Sequence, residues 1–271
     1  MDHTMASKTT NRFDLTGKVA LVTGGAQGLG ASMAAGLVDH GANTVVVDIT
    51  EDAVRKTAAQ MQTASPNAKV LGWRCDVADR GEVEKTVSRV LDEFNRIDIL
   101  VNNAGTHYRA TPVDFDLEQF NAVFAVNIMG CYYTAGAVGR AMIQQRSGSI
   151  INVSALGGGL VGLGRGGSVY GMTKGAIVAL TRDLAAEWGK HNIRINAIAP
   201  GWMKTPITTP LQNDAIKSAK VIERVPLRRW GEADDVAGVA VFLASDCSSY
   251  ITGHTIPIDG GAANVIELTQ E

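Results

Sequence analysis

From Lys18 onward the chain alternates short apolar, β-branched runs with longer segments in which apolar residues recur at three- and four-residue spacing. That alternation predicts buried parallel strands connected by helices lying on both faces of one sheet. The predicted strands are KVALVTG (18–24), NTVVVD (43–48), KVLGWR (69–74), IDILVN (97–102), SIINVS (149–154), IRINAIA (193–199) and HTIPID (254–259). Helical periodicity fills 29–41, 51–64, 79–95, 117–145, 169–190 and 232–245. In the first of these, Leu29, Met33, Gly36, Leu37 and His40 share one side, and Gly41 follows as a stop signal. The expected fold is α/β, a doubly wound sheet of seven mostly parallel strands. Residues 201–230 break the pattern: Pro206, Pro210 and Pro226 punctuate the short amphipathic LQNDAIKSAKVIERV, an excursion that reads as a lid over a site.

Composition narrows the class. The 271 residues are 45% hydrophobic and 19% charged with a net charge of −2, which suits an ordinary globular body and offers no basic excess for nucleic acid. We expect one catalytic domain, 13–271, after a flexible polar tail, 1–12. The tail lacks the apolar run of a signal peptide, and no stretch is read as long enough to span a membrane, so a cytoplasmic location is expected. Cys75, Cys131 and Cys247 and the five histidines are scattered, so neither a metal site nor a disulfide framework is expected.

VTGGAQGLG joins the first strand to the first helix. Gly24, Gly28 and Gly30 would let the backbone turn tightly there and approach a pyrophosphate, which the unpaired N–H groups of a helix start favour. The second strand ends in Asp48, near the spacing of about 20 residues at which an acid meets the adenosine ribose. A carboxylate at that point accepts from the ribose hydroxyls and repels a 2′-phosphate. No cation at Ala26, Gln27, Ile49 or Thr50 offsets the repulsion, so NAD is the expected cofactor. A cap on helix 51–64 is the other reading of Asp48.

These motifs, together with DV (76–77), NNAG (102–105), Asn127 in AVNIMG, IINVS, YGMTK (170–174) and APG (199–201) with Thr205, resemble the short-chain dehydrogenase/reductase family. The resemblance runs from Phe13 to Gly261 and implies a single-domain Rossmann-type enzyme. It implies cofactor contacts from Gly24, Gln27, Gly28, Leu29, Gly30, Asp48 and Ile49, and from Asp76 and Val77 beside the adenine. Asn103, Ala104, Gly105, Pro200, Gly201, Met203 and Thr205 complete that set.

Tyr170 and Lys174 stand one helical turn apart, on one face. A phenol of ordinary pKa about 10 is a poor base at neutral pH. An ammonium about 4 Å away, at an effective dielectric of 20, is worth roughly 4 kcal/mol, equivalent to about three pKa units before desolvation. Lys174 is therefore expected to bring Tyr170 towards neutrality, where it exchanges a proton with a substrate hydroxyl as hydride moves. By the resemblance Lys174 also holds the nicotinamide ribose, and Asn127 positions a water that relays protons to Lys174. A satisfied core amide is the plainer reading of Asn127.

The family's serine, which hydrogen-bonds the reacting oxygen, has no clean match. Counting back from Tyr170 reaches Gly157, and aligning on the strand reaches Ala155. Ser154 is one place early, after which a glycine-rich loop extends, and Ser154 is the expected catalytic serine. Ser168 is a further hydroxyl in reach, for which a cap on the next helix is the expected role, and the alternatives to Ser154 are Ser168 or no serine at all.

Arg109 follows NNAG at a position where sugar-acid members of the family carry a basic residue, and a guanidinium grips a carboxylate through two parallel hydrogen bonds. A surface salt bridge is the alternative for Arg109. His107, Trp202 and Arg165 are candidate pocket residues. The expected activity is NAD-dependent interconversion of a secondary alcohol and a ketone on a sugar acid or polyol. The expected assembly is a homotetramer with a small-molecule substrate and neither nucleic acid nor membrane as partner. The alternatives are a 3-oxoacyl thioester or hydroxysteroid reductase, a lyase or epimerase, and a non-catalytic NAD-binding regulator.

Overall fold

Seven parallel strands form one sheet in the order β3-β2-β1-β4-β5-β6-β7 in the computed structural model, which describes residues 11–164 and 166–265. In chain order the strands are β1 Val19–Thr23, β2 Asn43–Asp48, β3 Val70–Arg74, β4 Ile99–Asn102, β5 Gly148–Val153, β6 Ile193–Pro200 and β7 Thr255–Ile258. The helices are α1 Gly28–Asp39, α2 Glu51–Ala64, α3 Arg80–Phe94, α4 Leu117–Phe124, α5 Cys131–Gln145, α6 Ser168–Trp188, α7 Thr209–Gln212, α8 Ala215–Glu223 and α9 Ala237–Ala244. Strand order reverses between β1 and β4, and the crevice beyond the carboxyl ends of those strands is where an open α/β sheet receives ligands.

Alternation along the strands divides the core. Val46, Val101 and Ile151 face a layer with Met33, Leu37, Val54 and Val241, while Val45, Leu100 and Ile150 face Val87, Val138, Met142 and Leu184 on the other side. Each strand interior is apolar on both faces, as the continuous apolar runs require.

Three expectations need correction. In α1 the buried stripe is Gly30, Met33, Ala34, Leu37 and Val38, so Leu29 and His40 flank the packed face rather than share it. The helix predicted over 117–145 is interrupted by a π-helical turn, Ala125–Gly130, which inserts extra residues without breaking the cylinder and so leaves the apolar period nearly intact. The span Leu117–Gln145 is also, by length and a mean hydropathy of 1.3, long and apolar enough to cross a membrane. It is a core helix by its contacts: half of that apolar window is buried inside the molecule, and Arg140 on its outer face reaches Glu84 at 3.5 Å.

The expected N-terminal tail lies mostly outside the described residues. Arg12, within it, donates to the Asp246 carbonyl at 2.6 Å.

A polar network inside the second core layer joins the sheet to two helices. Asn102 Nδ2 donates to Asn152 Oδ1 at 2.9 Å, Thr134 Oγ1 donates to Asn102 Oδ1 at 2.5 Å, and Asn152 Nδ2 donates to Thr181 Oγ1 at 2.9 Å. All four residues are buried, so every lost partner leaves an uncompensated polar group. Asn152→Ala is expected to destabilise the fold by about 3 kcal/mol, the sum of an orphaned amide and a small cavity. Urea unfolding measures it, and a loss below about 0.5 kcal/mol would show that the network does not fasten α5 and α6 to the sheet.

Candidate active site

The carboxyl ends of β1, β4, β5 and β6 open into one cleft of about 1390 Å³. It is lined by every expected cofactor contact except Gly30, and by Ser154, Tyr170, Lys174, His107, Arg109 and Trp202. Gly30 supports it from below. Such a volume exceeds the usual small-molecule pocket of about 300–1,000 Å³ and suits a dinucleotide and a substrate side by side.

The nucleotide end is built by close backbone approach. A Cβ on Gly30 would stand 2.2 Å from the Gly24 carbonyl oxygen and 2.4 Å from Asn103 Nδ2, and Gly24 itself adopts φ +62°. Asn103 ties the turn down, donating from Nδ2 to the carbonyls of Thr23 (3.0 Å) and Gly24 (2.9 Å). Gln27 precedes α1 without offering a side-chain cap, which leaves the first N–H groups of the helix to an incoming anion. At the end of β2, Asp48 accepts from Ala26 N at 3.3 Å through Oδ2 and from Thr50 N at 3.2 Å through Oδ1. The helix cap is Thr50, so Asp48 braces the glycine turn instead of capping α2. Asp76, which accepts from Ala78 N at 2.9 Å, and buried Val77 border the same end. Together these residues fit a nicotinamide dinucleotide, which when bound supplies the hydride acceptor or donor.

At the chemical end, α6 carries Tyr170 and Lys174 into the cleft. Lys174 is 4% exposed, and its Nζ donates to the Val153 carbonyl at 2.7 Å and stands 5.6 Å from the centre of the Tyr170 ring. Gly105 is its neighbour: a Cβ there would lie 3.6 Å from Nζ. The electrostatics reverse one expectation. Burial pushes the Tyr170 phenol up to about 12 and draws the Lys174 ammonium down to about 8. Desolvation is the cause of the Tyr170 shift in the protein by itself. Tyr170 is consequently a protonated hydroxyl across the neutral range, in the state that donates to a carbonyl oxygen.

The hydroxyl of Ser154 is directed to the backbone of α6. Ser154 is 2% exposed, and Oγ donates its single proton to the Lys174 carbonyl at 2.8 Å. The loop after it explains the direction. Gly158, at φ +87°, packs so tightly on Gly171 that a Cβ would stand 2.2 Å from the Gly171 Cα, and a Cβ on Gly159 would meet Ser154 Oγ at 2.2 Å. The glycine loop is thus pressed onto α6 and seals the serine between them. Its neighbour Ala155, extended at φ −161° and lining the cleft, has only a methyl group. Ser168 is exposed and is the first helical residue, with Gly167 as the cap, so the expected capping bond is not made.

The Asn127 side chain is a brace. Oδ1 accepts from Thr106 N at 2.8 Å, while Nδ2 donates to the Thr106 carbonyl at 2.9 Å and to Thr173 Oγ1 at 3.0 Å. It joins the loop after β4 to α6 from within the π-helical turn.

Arg109 and His107 are on the loop after β4, and that loop is held to the glycine loop by Ala110 N donating to the Gly166 carbonyl at 2.9 Å. Burial, and then the charge of Arg109, lower the pKa of His107, favouring a neutral imidazole. Arg109 is exposed and has no ion pair or hydrogen bond among the described residues, so the expected alternative of a salt bridge is not what holds it. Trp202 both lines the cleft and packs on Val221, Val225 and Trp230, the small core of the excursion 201–230. Arg165 lies outside the described residues. The apolar rim formed by Leu160, Leu163, Ile207 and Leu211 was missed in the sequence, where exposed leucines in loops carry no periodic signal.

The family model described as Enoyl-(Acyl carrier protein) reductase matches residues 24–263. The chain belongs to the short-chain dehydrogenase/reductase family. It is 40% identical over 256 residues to the 2-dehydro-3-deoxy-D-gluconate 5-dehydrogenase of Dickeya dadantii, covering 93% of this chain and 97% of that one. It is 35% identical over 250 residues to the 5-keto-D-gluconate 5-reductase of Escherichia coli, covering 92% and 96%. Among solved structures, a gluconate 5-dehydrogenase from Burkholderia cenocepacia in complex with NADP and tartrate superposes with a TM-score of 0.89 at 34% identity, over 94% of this chain and 98% of that one. Membership makes the protein an oxidoreductase acting on CH–OH groups with a nicotinamide dinucleotide.

Two outcomes follow for the chemical end. Ser154→Ala is expected to keep turnover within about tenfold and to cost about 1 kcal/mol of stability, since the lost bond is internal; a loss near a thousandfold would return Ser154 to the chemistry. Lys174→Met is expected to remove turnover while relieving a buried charge. The shift from 10.5 to about 8 corresponds to about 3 kcal/mol. The folded-state value lies below the unfolded one, so the penalty is full below pH 8 and disappears as pH rises from about 8 to about 10.5. Wild type should therefore gain on the variant across that window in denaturant titrations; a pH-independent difference would contradict the buried ammonium.

Proposed function

We propose that the protein is an NAD-dependent dehydrogenase of a sugar acid, interconverting a secondary alcohol and a ketone. The observation that carries the substrate reading is Arg109, a guanidinium on the lining of the cleft with no ion pair or hydrogen bond among the described residues. Among the described residues the other cation of the lining is Lys174, whose amine is engaged by the Val153 carbonyl. A carboxylate at the far end of the substrate would be met by Arg109 through charge-assisted bonds, leaving the hydroxyl-bearing carbon to Tyr170. The names of the sugar-acid relatives support the same class.

In the reduction direction Tyr170 donates its proton to the substrate oxygen, and in oxidation it takes it back. Lys174 stands under the phenol and stabilises negative charge developing on it. Asn127 keeps the loop after β4 at its distance from α6, and with it the spacing between substrate and proton donor. Asp48, with no cation beside it in its own strand and turn, supports NAD over NADP, although the Burkholderia cenocepacia relative was solved with NADP.

Initial rates with gluconate-type acids and with neutral polyols, each with NAD and NADP, test both parts. Arg109→Gln is expected to raise KM for the acids by about 10- to 100-fold, the worth of a charge-assisted bond of about 1.5–3 kcal/mol, with the polyols within about twofold. An equal change for acids and polyols would overturn the carboxylate reading, and a wild type preferring NADP would overturn the reading of Asp48.

A further inference from the structure

We infer that Glu82 helps to set the choice between the two dinucleotides by holding Arg74 away from the carboxylate end of β2. This rests on Asp48 marking the ribose position.

The positions just after Asp48, Ile49 and Thr50, carry no cation, but the neighbouring strand does. In the β2–β3 register Asp48 is the partner of Arg74, so the two side chains leave adjacent parallel strands at the same level and on the same face, about 4.8 Å apart at the backbone. A guanidinium beside Asp48 would neutralise it and offer a planar fork to a 2′-phosphate, which bears about −1.5 to −2 charges. Arg74 is turned elsewhere. Its Nη1 donates to both carboxylate oxygens of Glu82 at 2.8 Å each.

Glu82 is fixed in turn. Oε2 accepts from Asp76 N at 2.8 Å, and its own backbone N–H donates to Asp79, the cap of α3, at 3.1 Å. The pair is therefore fastened to the backbone of Asp76, which lines the nucleotide end of the cleft. It also leaves that end with three carboxylates, Asp48, Asp76 and Glu82, around one arginine. Its members are 44% and 32% exposed, so removing the carboxylate leaves Arg74 free to swing rather than buried without a partner. Arg74 raised and Glu82 lowered in pKa, each chiefly by the hydrogen bond to the other, agree with the pairing.

The experiment measures kcat/KM for NAD and for NADP with one substrate in wild type, Glu82→Gln, Glu82→Asp, Arg74→Gln and the Arg74→Gln/Glu82→Gln double variant. Glutamine retains an acceptor for the Asp76 amide, and thermal melting checks that each variant folds. Glu82→Gln is expected to shift the NADP-to-NAD ratio of kcat/KM about tenfold towards NADP. Glu82→Asp, which shortens the arm but keeps the charge, gives a smaller shift in the same direction. The double variant should return to the wild-type ratio, which a merely structural role of Glu82 would not produce. Arg74→Gln alone should leave the ratio unchanged. No shift in either Glu82 variant, a shift that persists in the double variant, or a loss of NADP use in Arg74→Gln alone overturns the inference. The wild-type ratio by itself decides the Asp48 reading, so the two failures are separable.

Discussion

The buried amine of Lys174 is the constraint around which the chemical end is organised. Taking an ammonium out of water costs several kcal/mol unless it is hydrogen-bonded, and here the Val153 carbonyl at the end of β5 is its partner. That one bond fixes the rotation of α6 relative to the sheet, because the helix must deliver the amine to a strand carbonyl it can reach. Tyr170, one turn earlier, is then aimed into the cleft. Ser154 reinforces the same joint from the other side by donating to the carbonyl of Lys174, so residues 153 and 154 grip residue 174 at both its ends.

The surrounding sequence is intelligible as accommodation of that joint. Gly105 lies close to Asn127, where a Cβ would stand 3.3 Å from Oδ1. Asn127 sits in a π-helical turn, which directs its amide between the loop after β4 and Thr173 of α6. Gly158 and Gly171 allow backbone to touch backbone, so that a long loop can lie flat on α6 instead of standing over the cleft. Two of these are local concessions in helical propensity: the π-helical turn itself, and Gly171 within α6, where a glycine costs about 1 kcal/mol relative to alanine. Those concessions are offset by the packing that the close approach permits.

Much of this was legible in the chain and some was not, for physical reasons. Strand β2 and helix α2 match their predicted limits because apolar runs and polar breaks coincide there. The cleft gathers the predicted cofactor residues because sheet order and the glycine turn are both local signals. The π-helical turn was invisible, since a bulge hardly changes the spacing of apolar residues. The fate of Ser154 was invisible too. Adjacent strand residues point to opposite faces, and which of Ser154 and Ala155 faces the substrate depends on how the following loop packs. The direction of the Tyr170 shift was misjudged because spacing along a helix reports proximity but not burial, and burial wins here.

The two ends of the cleft differ in how they are encoded. The nucleotide end is made by backbone at strand termini, where a single added Cβ would collide with a carbonyl, so its shape admits little variation. Its charge, by contrast, is set by side chains that meet only across strands, as Arg74 and Asp48 do, and a scan along one strand cannot detect such neighbours. The substrate end reverses this. Its walls come from segments within 105–112, 156–164, 166–167 and 201–211, the first tied to the glycine loop by the bond from Ala110 to Gly166. Loops of that kind tolerate insertion because closure entropy grows only slowly with length. The extended glycine loop is therefore compatible with an unchanged Tyr170–Lys174 joint, because the bond from Lys174 to the Val153 carbonyl, and not the length of the loop, holds that joint to the sheet.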